Sequence, residues 1–322
     1  MINGHGDDIY KYDAVRINFS SNICQQADLS ALKAHLAARL DLISNYPEPE
    51  AWSLEQLIAR KEGIPRECVI VTSGATEAIY LVAQAFRYRY DLPAPTFSEY
   101  ADALALFPPQ SEESSIWLCN PNNPTGDVLS MDDICEMAQA HNLVIIDQSY
   151  EHYTDAPMLS AREAVEMEKV IQLHSLTKAY GVPGLRIGYI AAAPRLTKKI
   201  RQFLRPWAVN ALAIEAGKYL LQHGTILKPD FKEAQRLAQR LRATGAVTVG
   251  ESRTNFMLCE IHPFTAADLK NYLAVECGML IRDASNFDGL TPHHFRIAAQ
   301  SPAEDDALVE AIKTFIEKKQ HG

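Results

Sequence analysis

The sequence predicts an α/β protein built on a mostly parallel sheet with helices on both faces, followed by a smaller α+β unit. Three observations carry this. Short apolar runs alternate with helical patterns from about residue 45 to 205. Such alternation implies parallel strands joined by crossover helices. Several of these runs end abruptly in Ser, Asn, Asp or Gly, as in VTSGAT (71–76) and LCNPNNPTG (118–126). After Pro206 the pattern changes to long helical stretches with a few short strands. The division expected is an N-terminal arm (1–44) packing with the small domain, a large domain (45–205) and a small C-terminal domain (206–322). A chain of 322 residues has room for two cores.

In the large domain, strands are expected near 69–72, 93–96, 115–119, 143–147, 169–173 and 187–192, with helices near 75–90 and 131–141. Leu143 to Ile146 form a continuous apolar run, the signature of a strand buried on both faces. In the small domain, a helical stretch is expected over 207–243, strands over 246–249, 255–260 and 294–298, and helices over 265–277 and 303–319. No repeat or low-complexity segment interrupts the pattern.

Composition narrows the function. Hydrophobic residues make up 47% and charged residues 22%, as in ordinary soluble globular proteins. A formal net charge of −9 argues against a nucleic-acid partner, which wants a basic footprint. It leaves room for a local basic pocket that takes a small anion. The six cysteines are scattered without a C-x-x-C pair and read as reduced, hence cytoplasmic. The polar N-terminus predicts no signal peptide, and no apolar stretch reaches the roughly 18 residues of a membrane span. His262, His293 and His294 lack neighbours with metal-ligand spacing, so no metal is expected.

Four motifs point to chemistry. In SLTKAYGVPGLRIGY (175–189), Lys178 is flanked by hydroxyls at Ser175 and Thr177 and followed by Arg186. Lysine forms Schiff bases with carbonyls, and hydroxyls with a guanidinium suit a phosphate. That set could hold pyridoxal phosphate. In LCNPNNPTG, Asn123 lies at a strand's C-terminal end, where open α/β sheets bind ligands. In LVIIDQSYEHY (143–153), Asp147 ends a buried strand, and a carboxylate there is costly unless something pairs with it. Tyr150 follows three residues on. In VIVTSGATEAIYLVAQAF (69–86), Gly74, Ala75 and Thr76 open a helix whose free N–H groups suit a phosphate. Each motif alone also fits an ordinary turn, cap or solvated lysine.

Taken together, the order and spacing of the four motifs resemble the fold-type I pyridoxal phosphate enzymes over nearly the whole chain. The resemblance implies pyridoxal 5'-phosphate as cofactor and a seven-stranded type of sheet. It implies that Lys178 is the Schiff-base lysine and Asp147 the partner of the ring nitrogen. Asn123 and Tyr150 would donate to the phenolic oxygen, and Phe97 would stack on the ring. Gly74, Ala75, Thr76, Ser175, Thr177 and Arg186 would form the phosphate cup. Tyr46, in NYPEPE, matches a tyrosine that reaches the neighbouring subunit's phosphate, which implies a homodimer with shared active sites.

Arg282 and Arg296 both follow apolar strand residues, where an arginine is costly unless it meets an anion. Two groups within the resemblance fit: histidinol-phosphate aminotransferase and the threonine-phosphate decarboxylase of cobalamin synthesis. HGDDIYKYDAVRINFSSNI (5–23) is similar to the decarboxylase's start, and LIRDASNFDGL (280–290) to its Arg-Asp-x-Ser-Asn-Phe pattern. The resemblance therefore implies decarboxylation of L-threonine O-3-phosphate to (R)-1-aminopropan-2-ol O-phosphate, with Arg282, Arg296, Ser21, Asn22 and His5 contacting the phosphorylated substrate. The alternative is a transaminase of the histidinol-phosphate type. Two departures stand out. Cys24-Gln25-Gln26 replace the group's Asn-Pro-Leu-Gly, and the run from Phe97 to Asn120 is short enough to lack one strand and its loop.

Overall fold

The computed structural model describes residues 6–23 and 27–321. His5 and residues 24–26 lie outside the described residues. The strands in chain order are β1 (Ile17–Asn18), β2 (Val69–Thr72), β3 (Arg89–Asp91), β4 (Ser114–Cys119), β5 (Leu143–Asp147), β6 (Val170–Ser175), β7 (Gly188–Ala192), β8 (Val247–Val249), β9 (Phe256–Ile261), β10 (Met279–Leu280), β11 (Arg282–Asp283) and β12 (His294–Ala298).

The large sheet has six strands in the order β2-β7-β6-β5-β4-β3. Strands β3 to β6 run parallel, and β7 is antiparallel to both β6 and β2. That is one strand fewer than the seven-stranded type. Between Phe97 and Asn120 the chain forms only the helix Ser98–Leu106 and β4, as the short run predicts. Side chains alternate across the sheet. Leu143 and Ile145 enter one core with Val82 and Leu196, while Val144 and Ile146 enter another with Ile134 and Leu159. Burial on both faces is what the unbroken apolar run of β5 encodes.

A second sheet, β11-β12-β9-β8, packs its inner face on the helices Phe231–Arg242, Ala266–Tyr272 and Pro302–His321. Phe19 of the N-terminal segment is fully buried in the same cluster, and β1 pairs with β10.

Three expected elements differ. The second large-sheet strand is β3 at 89–91, not 93–96, and the preceding helix stops at Ala85. Pro93 and Pro95 supply no N–H for a ladder, so pairing falls on the polar residues before them. The helical stretch over 207–243 is two helices, Ala211–His223 and Phe231–Arg242, parted at Gly224 and Pro229. The helix expected over 265–277 is α-helical to Tyr272 and closes with a π turn over Leu273–Cys277, ended by Gly278 at φ +67°.

Candidate active site

Because β2, β4, β5 and β6 point the same way, their C-terminal ends share one edge of the sheet. Ligands bind at that edge in open α/β sheets. A cavity of about 270 Å³ opens there, between the large sheet and β11-β12. Of the residues singled out in the sequence, it is lined by Ser21, Asn22, Ala75, Thr76, Phe97, Asn123, Asp147, Tyr150, Ser175, Thr177, Lys178, Arg186, Arg282 and Arg296. Gly74 lies just behind the wall. Tyr46 lies apart, 82% exposed and packed on Trp207 at 5.0 Å between ring centroids.

Lys178 sits on the short helix Leu176–Tyr180, which β6 delivers directly into the cavity and Gly181 ends at φ +67°. Tyr153 donates to the Lys178 carbonyl at 3.0 Å. The Lys178 Nζ stands 5.6 Å from the centre of the Tyr150 ring.

One end of the cavity is built for a phosphate. The helix Gly74–Ala85 starts there with Ala75 and Thr76 in the wall. A Cβ on Gly74 would fall 2.6 Å from an Arg186 Nη, so only glycine lets the guanidinium lie over this turn. Arg186 itself takes φ +53°, a backbone cost for a non-glycine residue. The buried Thr177 hydroxyl has no partner among the described residues. An orphaned buried hydroxyl, a guanidinium and a helix N-terminus converge, which is the donor set a phosphomonoester fills. Gly188 supports the turn from below. A Cβ there would meet the His174 carbonyl oxygen at 2.6 Å and the Ala75 nitrogen at 2.9 Å, both backbone atoms that cannot swing away. Gly188→Ala is therefore expected to destabilise the protein by about 1–3 kcal/mol and to weaken cofactor binding, measured by thermal melting and cofactor titration.

At the cavity floor is Asp147, buried at the end of β5. Its Oδ1 accepts the Ser149 N–H at 2.9 Å and its Oδ2 accepts the Tyr100 hydroxyl at 2.9 Å. Among the described residues no cationic side chain pairs with it at ion-pair distance. Burial raises its pKa above the ordinary carboxylate value, against the pull of these hydrogen bonds and of His174. Burial also raises the Tyr100 hydroxyl, so it stays a donor. Asn22 Nδ2 reaches the Tyr150 hydroxyl at 3.3 Å.

The opposite wall carries two arginines. Arg282 on β11 and Arg296 on β12 are direct cross-strand partners, so their side chains leave the sheet on one face. Both are buried. Arg296 donates to the Asn123 side-chain oxygen and, at 2.6 Å, to the Ser20 carbonyl, while its Nε has no partner. Arg282 donates to the Asn286 side chain at 2.7 Å and the Asp283 carbonyl at 2.5 Å. These acceptors are neutral, and among the described residues no carboxylate pairs with either guanidinium at ion-pair distance. Burial, and then the neighbouring Arg296, push Arg282 down to about 10, and burial lowers Arg296. Two like charges opposite each other in a sheet repel. The pair is thus poised to be relieved by an anion.

Sequence reading missed Tyr100, Phe287 and the Gly6–Asp7 segment, all of which line the cavity. Tyr100 lies three residues after Phe97, the spacing that places two side chains on one helix face. Phe287 lies against the Arg282 guanidinium at 5.2 Å.

The class I and II aminotransferase family model matches residues 96–312. This chain belongs to that family. The family is dependent on pyridoxal phosphate, and the donor set around Thr177, Arg186 and Gly74 fits that group. A relative from Caldanaerobacter subterraneus subsp. tengcongensis, provisionally assigned as a threonine-phosphate decarboxylase, is 30% identical over 98% of this chain and 94% of its own. A histidinol-phosphate aminotransferase of Thermoanaerobacter pseudethanolicus is 29% identical over 85% of each chain. The crystal structure of L-threonine-O-3-phosphate decarboxylase from Porphyromonas gingivalis superposes with a TM-score of 0.87 at 37% identity, covering 94% of this chain and all of that one. As a member of the class I and II aminotransferases, the chain thus lies beside both decarboxylases and transaminases of phosphorylated substrates. No helix among the described residues is long and apolar enough to cross a membrane.

Proposed function

We propose that this enzyme decarboxylates L-threonine O-3-phosphate, yielding carbon dioxide and aminopropanol phosphate. One observation carries the reading. Arg282 and Arg296 face one side of the cavity, and among the described residues their hydrogen-bond acceptors are neutral, which favours a substrate with two anionic groups. A phosphorylated amino acid supplies a phosphate and a carboxylate. Histidinol phosphate supplies only the first. The likeness to the Porphyromonas gingivalis enzyme favours the same choice.

When bound, pyridoxal phosphate supplies a ring that takes up the electron pair left at the reacting carbon. The chain's own residues do the rest. Gly74, Ala75, Thr76, Ser175, Thr177 and Arg186 would hold the phosphate group. Asp147, kept in one orientation by Tyr100 and Ser149, would pair with the ring nitrogen and hold its proton. Asn123 and Tyr150 line the cavity and would donate to the phenolic oxygen, and Phe97 would stack on the ring. The Lys178 amine would carry the cofactor between turnovers and return a proton to the carbon that loses carbon dioxide. Arg282 and Arg296, with Ser21 and Asn22, would fix the substrate's anions and so set which bond stands ready to break, and the sequence resemblance adds His5, outside the described residues, to this set. The exposed Tyr46 serves the cavity of a second copy, giving a homodimer with shared sites. The free thiols of Cys68, Cys119, Cys135, Cys259 and Cys277 favour a reducing, cytoplasmic setting.

The test is direct. Protein loaded with pyridoxal phosphate is given O-phospho-L-threonine, and carbon dioxide and aminopropanol phosphate are measured. Release of both supports the reading. Conversion of histidinol phosphate to a keto product, with no carbon dioxide from O-phospho-L-threonine, replaces it with transamination.

A further inference from the structure

The cavity wall beside Arg282 is made by a segment that precedes the first strand. Gly6 and Asp7 both line the cavity. A Cβ on Gly6 would stand 2.9 Å from the Arg282 Cδ and 3.3 Å from the Ser20 hydroxyl, so the backbone lies directly on the arginine's stem. Asp7 takes φ +62° and donates its N–H to Ser20 Oγ at 3.0 Å. Its carboxylate accepts from the Asn18 side chain. The anchor is the next residue.

Asp8 leaves the cavity and meets Lys270 on the helix Ala266–Tyr272. Both Asp8 oxygens lie 2.8 Å from the Lys270 Nζ. The side chains are 6% and 12% exposed. Lys11 adds a weaker contact at 3.3 Å, and the Tyr12 ring lies 5.9 Å from the Lys270 Nζ. A buried pair of this kind is a costly way to stabilise a fold, because desolvation offsets most of the attraction. It is a good way to fix a register. Neither partner lines the cavity.

We propose that Asp8 and Lys270 are a positioning pair, which clamps Gly6–Asp7 against Arg282 and thereby sets the enzyme's affinity for the phosphate group of its substrate. The inference rests on the anion-binding reading of Arg282 and Arg296 above. Its physical content is that an arginine with four rotatable bonds binds an anion well only when its stem is confined. Gly6 confines it from one side, and the ring of Phe287 lies against its guanidinium. Releasing the clamp frees the stem without removing a ligand group.

The experiment uses the pyridoxal-phosphate-loaded enzyme, so that the cofactor's own phosphate site is filled. Inorganic phosphate is the first probe, by calorimetric titration, and O-phospho-L-threonine turnover the second. Asp8→Asn and Lys270→Met are each expected to weaken phosphate binding and raise KM by about tenfold, with kcat and cofactor affinity unchanged. The double variant is expected to be no worse than either single one. Lys270→Arg, which keeps the charge and can reach both oxygens, is expected to behave as the parent. Gly6→Ala leaves the ion pair intact, crowds the Arg282 stem and is expected to weaken phosphate binding as well. Unchanged phosphate affinity in Asp8→Asn and Lys270→Met overturns the proposal. So does a parallel loss of cofactor affinity, which would mean general loosening. If the parent binds phosphate and the variants weaken it while no carbon dioxide is ever released, the clamp stands and only the decarboxylase reading falls. A parent enzyme that binds no phosphate defeats both.

Discussion

Lys178→Ala is expected to leave the protein folded and colourless. The side chain lines the cavity beside Tyr150, and on the proposed reading its removal would take away both the covalent tether and the amine that returns a proton. Turnover should fall by about 10³-fold or more, the scale of losing a positioned proton carrier together with a covalent step. The helix that holds residue 178 is fixed by its backbone, through the Tyr153 bond to the carbonyl and the Gly181 cap, so alanine should not disturb it. The measurements are visible absorbance after cofactor loading and peptide mapping after borohydride reduction. A tag on another lysine, or colour that survives in the variant, sinks the assignment.

Asp147→Asn separates folding from catalysis. Asparagine has the same shape and can still accept from Ser149 while meeting the Tyr100 hydroxyl. It cannot carry the charge that, on the proposed reading, would keep a ring nitrogen protonated. Turnover should drop on the order of 10³-fold, the scale of removing one electrostatic contact in a closed site. Stability should move the other way in the cofactor-free protein. Burial holds the Asp147 pKa above its ordinary value. The folded state therefore binds the proton more tightly than the unfolded chain. Its contribution is fully present below the ordinary aspartate pKa and is lost as pH rises through the raised one. The asparagine variant has nothing to ionise. Near neutral pH, without cofactor, it should melt at or above the parent's temperature, and adding cofactor should stabilise it less than the parent. A variant that loses stability in the cofactor-free state would show that something in the chain already pairs with Asp147.

Much of the large sheet was legible because its strands are buried on both faces. Val69–Val71 and Leu143–Ile146 leave no polar residue for a helix's outer face, so their runs read as strands at once. The edge strand β3 was not legible. Arg89, Tyr90 and Asp91 are exposed, and nothing apolar marks them. Pairing with β4, a tertiary event, makes them a strand. The same holds for β11, whose two residues are too few to carry a pattern.

The site divides in the same way. Lys178, Asp147 and the Gly74 turn were visible because each is a polar break at the end of an apolar run, and such breaks are local. Tyr100 was hidden, since nothing in SEYADALAL separates a tyrosine aimed at a carboxylate from one that fills a core.

By itself the chain's order of apolar and polar residues determined that a parallel sheet would form and which of its ends would carry the amine, the acid and the phosphate turn. Strand identity and strand ends are set by neighbours in sequence. Only the folded structure decided that Arg282 and Arg296 would stand side by side with no carboxylate at ion-pair distance among the described residues, that Tyr100 would hold Asp147, and that Asp8 would reach across to Lys270. Those are meetings between residues distant in the chain. Register and packing bring them about, and no local pattern records them.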